Sequence, residues 1–134
     1  MANTLTLSLS LVCSEAIYVD ESSNGWIIDS GATKHVTKDR SGFREFQSID
    51  VGCNKLYMGH NSSEDVLGIG DYFLPTSIGK TMVLHETLFV PGMRRNLLSV
   101  CRPTRDGFDF RFSRDRVSIR KNSSIYAWGF IVRE

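Results

Sequence analysis

Cysteine is scarce in this chain and poorly placed for cross-linking. Cys13, Cys53 and Cys101 are an odd number, lie far apart and include no Cys-x-x-Cys pair. A disulfide framework is therefore not expected, and a reducing compartment, the cytoplasm, is the expected location. The three histidines also form no close pair of the kind that zinc sites use. We expect neither a metal nor another cofactor.

Long apolar runs and a basic leader are also missing. No segment approaches the roughly 20 apolar residues of a membrane-spanning helix, so no membrane partner is expected. The N-terminal stretch MANTLTLSLSLVCSEA has no basic residue, and serine and threonine interrupt its apolar residues. A secretory signal peptide has a basic start and a continuous apolar segment. The alternation over residues 4–12 predicts a strand instead.

Neither sign of charge dominates, because the chain has 16 Lys and Arg residues and 15 Asp and Glu residues, which gives a net charge of +1. The distribution along the chain is uneven. Residues 1–93 carry 6 basic and 11 acidic residues, whereas residues 94–134 carry 10 basic residues, nine of them arginine, and 4 acidic ones. Such a basic segment can bind nucleic acid. A solvated face, or a surface that meets the acidic half of a partner chain, is the favoured interpretation.

Short runs of β-branched and aromatic residues are what the chain has in abundance. Its length of 134 residues and its 41% hydrophobic content fit a single globular domain over residues 1–134. Many short strands with turns between them predict an all-β domain, a small barrel or a sandwich. The predicted strands cover residues 4–12, 25–29, 55–59, 65–74, 79–91 (two strands), 107–112, 116–120 and 125–132.

Two predictions concern the connections between these strands. Residues 55–74 predict a long hairpin with a polar connector at 60–63, and Gly68 and Gly70 in its second arm predict a bulge or a bend. Residues 94–102, RRNLLSVCR, consist largely of good helix formers and are followed by Pro103. They predict one short helix.

A carboxylate and a hydroxyl follow directly on a buried strand in WIIDSGATKHV, residues 26–36. Trp26 and the two isoleucines after it suit a packed strand, whereas a buried carboxylate such as Asp29 is costly unless it is paired, hydrogen-bonded or functional. From this stretch alone, an ordinary Asx-type turn and a functional site are about equally supported.

Three features then occur in one order: an apolar strand running into Asp-Ser-Gly-Ala, a hairpin with a polar tip, and an apolar strand leading to RRNLLSV. This order resembles the retropepsin-like aspartic proteases. The sequence is most similar to the protease segment of copia-type LTR retrotransposon polyproteins, through DSGATKH at 29–35 and LFVPGMRRNLLSV at 88–100. The resemblance covers about residues 25–101, the core of the domain, and continues loosely through the Arg-rich strands at 107–132.

The resemblance implies a closed, barrel-like retropepsin fold that is active as a homodimer on a peptide or polyprotein substrate. Two carboxylates that share one proton can activate water and protonate the leaving amine. One chain supplies only one of them, so Asp29 would come from each of two chains. The family places the Ser30 hydroxyl between the two active-site loops, and the Gly31 backbone N–H on the carboxylate.

The resemblance also implies where substrate would bind. Ala32 would be small enough to leave room for it, and the hairpin would take the place of the family's flap. Its tip would supply further substrate-binding residues, namely Gly59, His60, Asn61 and Ser62. Leu97 and Leu98 would pack the predicted helix beneath the active-site loop.

Three alternatives remain open from the sequence. Ser30 and His35 could form a nucleophile pair oriented by Asp29, although a packing or hydrogen-bonding role for His35 is favoured. The chain could be a catalytically silent, host-adopted protease fold that binds peptides or proteins. The arginines of the C-terminal segment could bind nucleic acid, which is the least favoured of the partner predictions.

Overall fold

The computed structural model of the chain describes residues 6–9, 15–19, 25–29, 31–58, 61–100 and 106–133. Throughout these ranges the chain forms strands and turns and no helix, which confirms the all-β class. The strands are β1 (Thr6–Leu9), β2 (Glu15–Val19), β3 (Trp26–Asp29), β4 (Val36–Thr37), β5 (Phe43–Ser48), β6 (Lys55–Met58), β7 (Ser62–Asp65), β8 (Gly68–Pro75), β9 (Thr81–Phe89), β10 (Asn96–Ser99), β11 (Asp109–Phe112), β12 (Arg116–Lys121) and β13 (Ser124–Arg133).

These strands form two sheets. The small sheet has the order β1-β6-β7, with β1 parallel to β6 and β6 antiparallel to β7. The large sheet has the order β11-β12-β13-β2-β3-β10-β4-β9-β8-β5. A barrel closes only when its first and last strands pair, and β11 and β5 do not pair within the described residues. The closed barrel predicted from the sequence is therefore not found in this part of the chain.

Strands β3 and β10 form the buried centre of the large sheet. They run parallel, with Trp26 opposite Asn96 and Asp29 opposite Ser99, and all four residues of each strand are buried. Because side chains alternate along a strand, β3 contributes to two hydrophobic clusters. Trp26 and Ile28 belong to the first cluster, and Ile27 belongs to the second. The strand that carries the Asp-Ser-Gly sequence is thus held from both faces.

The helix predicted at 94–102 is wrong. Residues 96–99 are strand β10, which is flanked by β3 and by β4, and residues 101–105 lie outside the described ranges. Arginine and leucine favour a helix intrinsically, but a short apolar run does not distinguish helix from strand. Pairing on both edges and burial on both faces decide the outcome, since Leu97 lies in the second cluster and Leu98 in the first.

The predicted hairpin is present but shorter than expected. Strands β6 and β7 pair from Lys55 with Asp65 to Met58 with Ser62, and β8 then joins the large sheet between β5 and β9. The change of sheet occurs at Val66 and Leu67, whose backbone N–H groups donate to the carbonyls of Asn54 and Phe89. The prediction of one continuous arm over 65–74 is wrong because this backbone pairing divides it.

Of the sequence predictions for strands β8 and β9, the first is confirmed and the second is wrong. The bulge predicted in the 65–74 segment is confirmed by a register shift between Gly70 and Tyr72. Gly70 is required there because a Cβ atom would collide with the carbonyl of Glu45. The two strands predicted over 79–91 form a single strand, β9, in which Glu86 has a positive φ of 55°.

A hydrogen-bond network around Asp39 connects the end of β4 to β8. The Tyr72 hydroxyl donates to Asp39 Oδ2 at 2.8 Å, and the Ser41 backbone N–H and hydroxyl donate to Oδ1 at 3.1 and 2.9 Å. Partial burial acts to raise the pKa of Asp39, but the hydrogen bonds from Tyr72 and Ser41 lower it below its ordinary value of 3.8. Burial, together with the Asp39 carboxylate, raises the pKa of Tyr72.

This network predicts an acid-sensitive contribution to stability. A carboxyl group with a lowered pKa in the folded state stabilises the fold above its ordinary pKa and loses that contribution as the pH falls through the lowered value. Tyr72→Phe should therefore lower the free energy of unfolding by about 1–3 kcal/mol at pH 6, and by less at pH 2.5. Urea unfolding at both values measures the difference, with the exposed Tyr57→Phe as control. An equal loss at both pH values would contradict the prediction.

Candidate functional site

The candidate site is built on a tight turn at the end of β3. Asp29 is the last residue of that strand and is only 9% exposed. Its Oδ1 accepts a 2.8 Å hydrogen bond from the backbone N–H of Gly31, and its carbonyl accepts one from the N–H of Ala32 at 3.3 Å. The backbone after the strand therefore folds back on the carboxylate and fixes its orientation. This bond is the Asx-type turn that the sequence offers as the ordinary alternative, and a catalytic role for Gly31 stays a prediction.

The second carboxylate oxygen of Asp29 has a different environment. Oδ2 is buried and has no hydrogen-bond partner among the described residues. Buried polar atoms in native proteins are nearly always hydrogen-bonded, and an unsatisfied one costs about 1–3 kcal/mol. A partner for Oδ2 must come from outside the described part of the chain, for example from Ser30, a water molecule, a substrate or a second copy of the protein.

A buried network holds the segment after Asp29 against β10. The Ser99 hydroxyl donates to the Ala32 carbonyl at 2.6 Å, and the Ser99 backbone N–H donates to His35 Nδ1 at 3.0 Å. Because Nδ1 accepts this bond, the proton of the neutral imidazole lies on Nε2. The His35 carbonyl accepts from the N–H of Leu88 in β9. His35 thus connects the loop to two strands, which is the hydrogen-bonding role favoured from the sequence.

The alternative of a Ser30–His35 nucleophile pair is not tested, because Ser30 lies outside the described residues. Nδ1 of His35 is already bonded to β10, and the residue is 1% exposed. A general base must reach the proton that it removes. Nδ1 cannot take that role while it accepts the hydrogen bond from the Ser99 N–H.

A second buried pair positions the end of β4 beside β10. Asn96 Oδ1 accepts hydrogen bonds from the Thr37 hydroxyl at 3.0 Å and from the Lys38 backbone N–H at 2.8 Å. Both Asn96 and Thr37 have no exposed surface. Sequence reasoning missed Asn96 and Ser99 because the string that contains them was interpreted as a helix. The sequence signal that could have pointed to them is that these two polar residues flank the apolar pair Leu97 and Leu98.

The remaining predicted site residues are distributed as follows. Ala32 has no exposed surface and belongs to the second cluster, so its contact with substrate stays a prediction. Asn61 is exposed with a positive φ of 60°, and Ser62 begins β7 and is exposed. Gly59 and His60 lie outside the described ranges. The structure therefore describes part of the predicted tip, and its role in binding stays a prediction.

The hairpin is anchored at its base. Leu56 has no exposed surface and belongs to the second cluster, and Lys55 forms a 3.0 Å ion pair with Asp65 on the opposite strand. The Glu64 carboxylate packs closely on Gly92, and a Cβ atom at position 92 would collide with it. These contacts fix the base of β6 and β7 to the loop after β9, while the tip residue Asn61 remains exposed.

Comparison with known proteins places this architecture in a class of retroelement polyprotein domains. The model of the family described as Pol polyprotein, beta-barrel domain, matches residues 26–108. The chain belongs to this family. The matched region includes β3, the hairpin, β10 and the candidate site, so the family relationship covers the residues on which the site is built.

Curated relatives are polyproteins of plant transposons. The chain is 32% identical over 115 residues to the retrovirus-related Pol polyprotein from transposon TNT 1-94 of Nicotiana tabacum, which covers 86% of this chain and 8% of that protein. It is 34% and 35% identical over 80 and 81 residues to the corresponding polyproteins of transposons RE2 and RE1 of Arabidopsis thaliana, each match covering 60% of this chain and 5% of the relative. The chain thus spans less than a tenth of the relatives it matches and corresponds to one region of a copia-type Pol polyprotein.

Two further findings concern solved structures and membrane-spanning helices. No solved structure matches it significantly. Within the ranges described above, no helix is long and apolar enough to cross a membrane.

Proposed function

We propose that this chain is an aspartic endopeptidase domain that cuts a retrotransposon-type polyprotein and acts as a homodimer. The observation that carries the proposal is the state of Asp29. It is a buried carboxylate at the end of a strand that is buried on both faces. One oxygen is held by the Gly31 N–H, and the other has no partner among the described residues.

The chemistry of peptide hydrolysis accounts for this arrangement. Water must lose a proton as it attacks the carbonyl, and the leaving amine must gain one. A pair of carboxylates about 3 Å apart does both. The two groups cannot both be ionised at that distance, so they hold one proton between them, and one carboxylate can accept a proton while the other donates one. The Asp-Ser-Gly sequence occurs once in this chain, so the second carboxylate would come from a second chain. Asp29 Oδ2 is the atom that would share the proton or bind the water.

The hairpin supplies a cover for an extended peptide in this proposal. Its base is fixed by Leu56, by the Lys55–Asp65 ion pair and by the packing of Glu64 on Gly92. At its tip, Asn61 lies in a turn and Ser62 begins β7, and both are exposed. A lid that is anchored at its base and exposed at its tip can close over substrate and exclude water.

The polyprotein relatives support the substrate class. A Pol polyprotein is a single precursor, so a peptidase within the same chain would have the precursor itself as its natural substrate. A catalytically silent domain that binds peptides remains the alternative. It would share the fold and the hairpin but would not require two Asp29 carboxylates.

Mixing wild-type chains with inactive chains tests the shared site. If each site needs two copies of Asp29, adding an equal amount of Asp29→Asn chain should reduce cleavage to about half. The addition doubles the total number of dimers, and random pairing leaves about a quarter of them fully wild type, which is about half the original number of active dimers. Dilution of the wild type alone should also lower its specific activity. Cleavage of a fluorogenic peptide taken from the precursor measures both effects.

The matched control adds the same amount of Asp50→Asn chain, which alters an exposed aspartate at the start of a turn outside the site. Because this chain should itself be active, total cleavage should rise to about twice that of the wild type alone. Unchanged activity on addition of Asp29→Asn, in a preparation shown by sedimentation to exchange subunits, would contradict the shared site.

A further inference from the structure

The outer face of strands β11 to β13 combines arginines with aromatic side chains. In the register of this sheet, Arg111 lies opposite Ser118, Ser118 opposite Trp128, and Arg116 opposite Phe130. Residues opposite one another on neighbouring strands point to the same face. Arg120, two residues after Ser118, points to that face as well. We call the set Arg111, Arg116, Arg120, Trp128 and Phe130 the arginine face.

The other side of the same strands is part of the hydrophobic core. Val117, Ile119 and Ala127 have no exposed surface and belong to the first cluster. Their burial fixes which side of the sheet is outward, because a slip of one residue would exchange the two faces. The arginines therefore lie on the outer face because the alternation of β12 and β13 places their neighbours in the core.

The charges of the arginine face are available to a ligand. The side chains of Arg111 and Arg116 are 67% and 51% exposed, and each is paired with an exposed aspartate, Asp109 at 3.0 Å and Asp115 at 3.9 Å. Exposed pairs of this kind contribute little and open readily. Across the part of the chain that the structure describes, Arg120 forms no ion pair, and its Nε donates to Ser118 Oγ at 3.2 Å.

The aromatic members give the face a second property. Phe130 is 39% exposed, and the guanidinium of Arg116 lies 5.3 Å from the centre of the Trp128 ring. An acidic protein surface would satisfy the arginines but would provide nothing to stack on these rings. Single-stranded nucleic acid provides both, since its phosphates pair with arginine and its unpaired bases stack on aromatic side chains.

A cavity of about 260 Å³ lies at one end of the face, among Arg111, Arg120, Lys121 and the Asn122–Ser123 turn. Asp109 also lines it and is paired with Arg111. Three cationic side chains around one cavity favour an anionic group such as a phosphate. The cavity is thus continuous with the charges of the arginine face.

We propose that the arginine face binds single-stranded nucleic acid, with phosphates on Arg111, Arg116 and Arg120 and bases stacked on Trp128 and Phe130. This activity goes beyond peptide cleavage and uses strands at the opposite end of the large sheet from β5. Duplexes should bind more weakly than single strands, because their bases are already stacked and cannot use the aromatic side chains.

Fluorescence anisotropy with a labelled 12-nucleotide RNA of mixed sequence tests the proposal on the full chain. Three phosphate contacts predict that the logarithm of the association constant falls with the logarithm of the salt concentration with a slope of about −2. Arg116→Gln combined with Arg120→Gln should weaken binding at low salt at least about tenfold and reduce the slope by about 1.4. Phe130→Thr should weaken binding about fivefold or more without changing the slope.

The matched control is Arg40→Gln combined with Arg44→Gln, which removes the same charge at and before β5 and should change binding by less than about twofold. Thermal unfolding verifies that each variant is folded. Equal losses in the two double variants would overturn the proposal, because net charge alone would then explain binding. Absence of binding by the wild type at low salt would also overturn it. Dissociation of a dimer by Arg116→Gln and Arg120→Gln, without RNA binding by the wild type, would instead assign the face to contact between copies.

Discussion

Asp29→Asn is expected to abolish peptide cleavage if the chain is the homodimeric endopeptidase proposed above, and to leave fold and assembly unchanged. The change replaces one carboxylate oxygen by an NH₂ group of nearly the same size, and the other oxygen can still accept the hydrogen bond from the Gly31 N–H. General acid–base catalysis contributes about a hundredfold to ten-thousandfold to a rate, and neither role can be carried out by an amide. We therefore expect kcat/KM for a precursor peptide to fall by at least about a thousandfold, measured on the fully dimeric protein.

The Asp50→Asn variant provides the control for a general effect of removing an aspartate. It should retain wild-type kcat/KM, since Asp50 is exposed at the start of a turn before β6. Circular dichroism and sedimentation show whether Asp29→Asn preserves fold and assembly. Cleavage by a folded Asp29→Asn dimer at the wild-type rate would exclude the aspartic mechanism. Undiminished peptide binding together with no cleavage in the wild type would favour the silent binding module.

Leu97→Ala and Leu98→Ala are each expected to lower the free energy of unfolding by about 2–5 kcal/mol. Both side chains have no exposed surface, and they enter different clusters on the two faces of β10. Truncation removes buried apolar surface and leaves a cavity in a close-packed interior. Urea unfolding of the two variants measures the loss, and a comparable loss in both is the signature of a strand buried on two faces.

Val51→Ala is the matched control, because Val51 is 75% exposed and surface substitutions usually change stability by less than about 0.5 kcal/mol. A large loss for one leucine and a small loss for the other would contradict the strand. That result would indicate that only one face of the segment is covered.

Local patterns in the sequence predicted the elements that depend on local chemistry. The alternation of Arg116 to Arg120 and the turn at Asn122 and Ser123, both with positive φ, fix a hairpin from nearby residues alone. The Asp29–Gly31 contact is similarly local, because it joins residues two positions apart. Such parts of the fold and of the site follow from short stretches of sequence, since every partner lies within a few residues.

The parts that sequence reasoning missed depend on distant partners. Strand β10 exists because Asn96 to Ser99 meet Trp26 to Asp29 on one edge and Val36 on the other. Nothing within the string RRNLLSV indicates those partners, and its helix propensity points the other way. The hydrogen bonds from Ser99 to Ala32 and His35 have the same origin. The topology of the sheet decides which strands become neighbours and so which side chains meet. A single sequence does not show that topology.

The pairing of Asp29 with Ser99 also has a consequence for when the site can form during synthesis. The two residues are 70 positions apart in the chain, so the strand that carries the carboxylate emerges from the ribosome well before the strand that supports it. At about 5–20 residues per second, the interval is on the order of ten seconds. During that time β3 has an unpaired edge, and the Asp29 loop lacks the hydrogen bonds from Ser99. A nascent chain would therefore hold an unassembled site until this whole segment had been made.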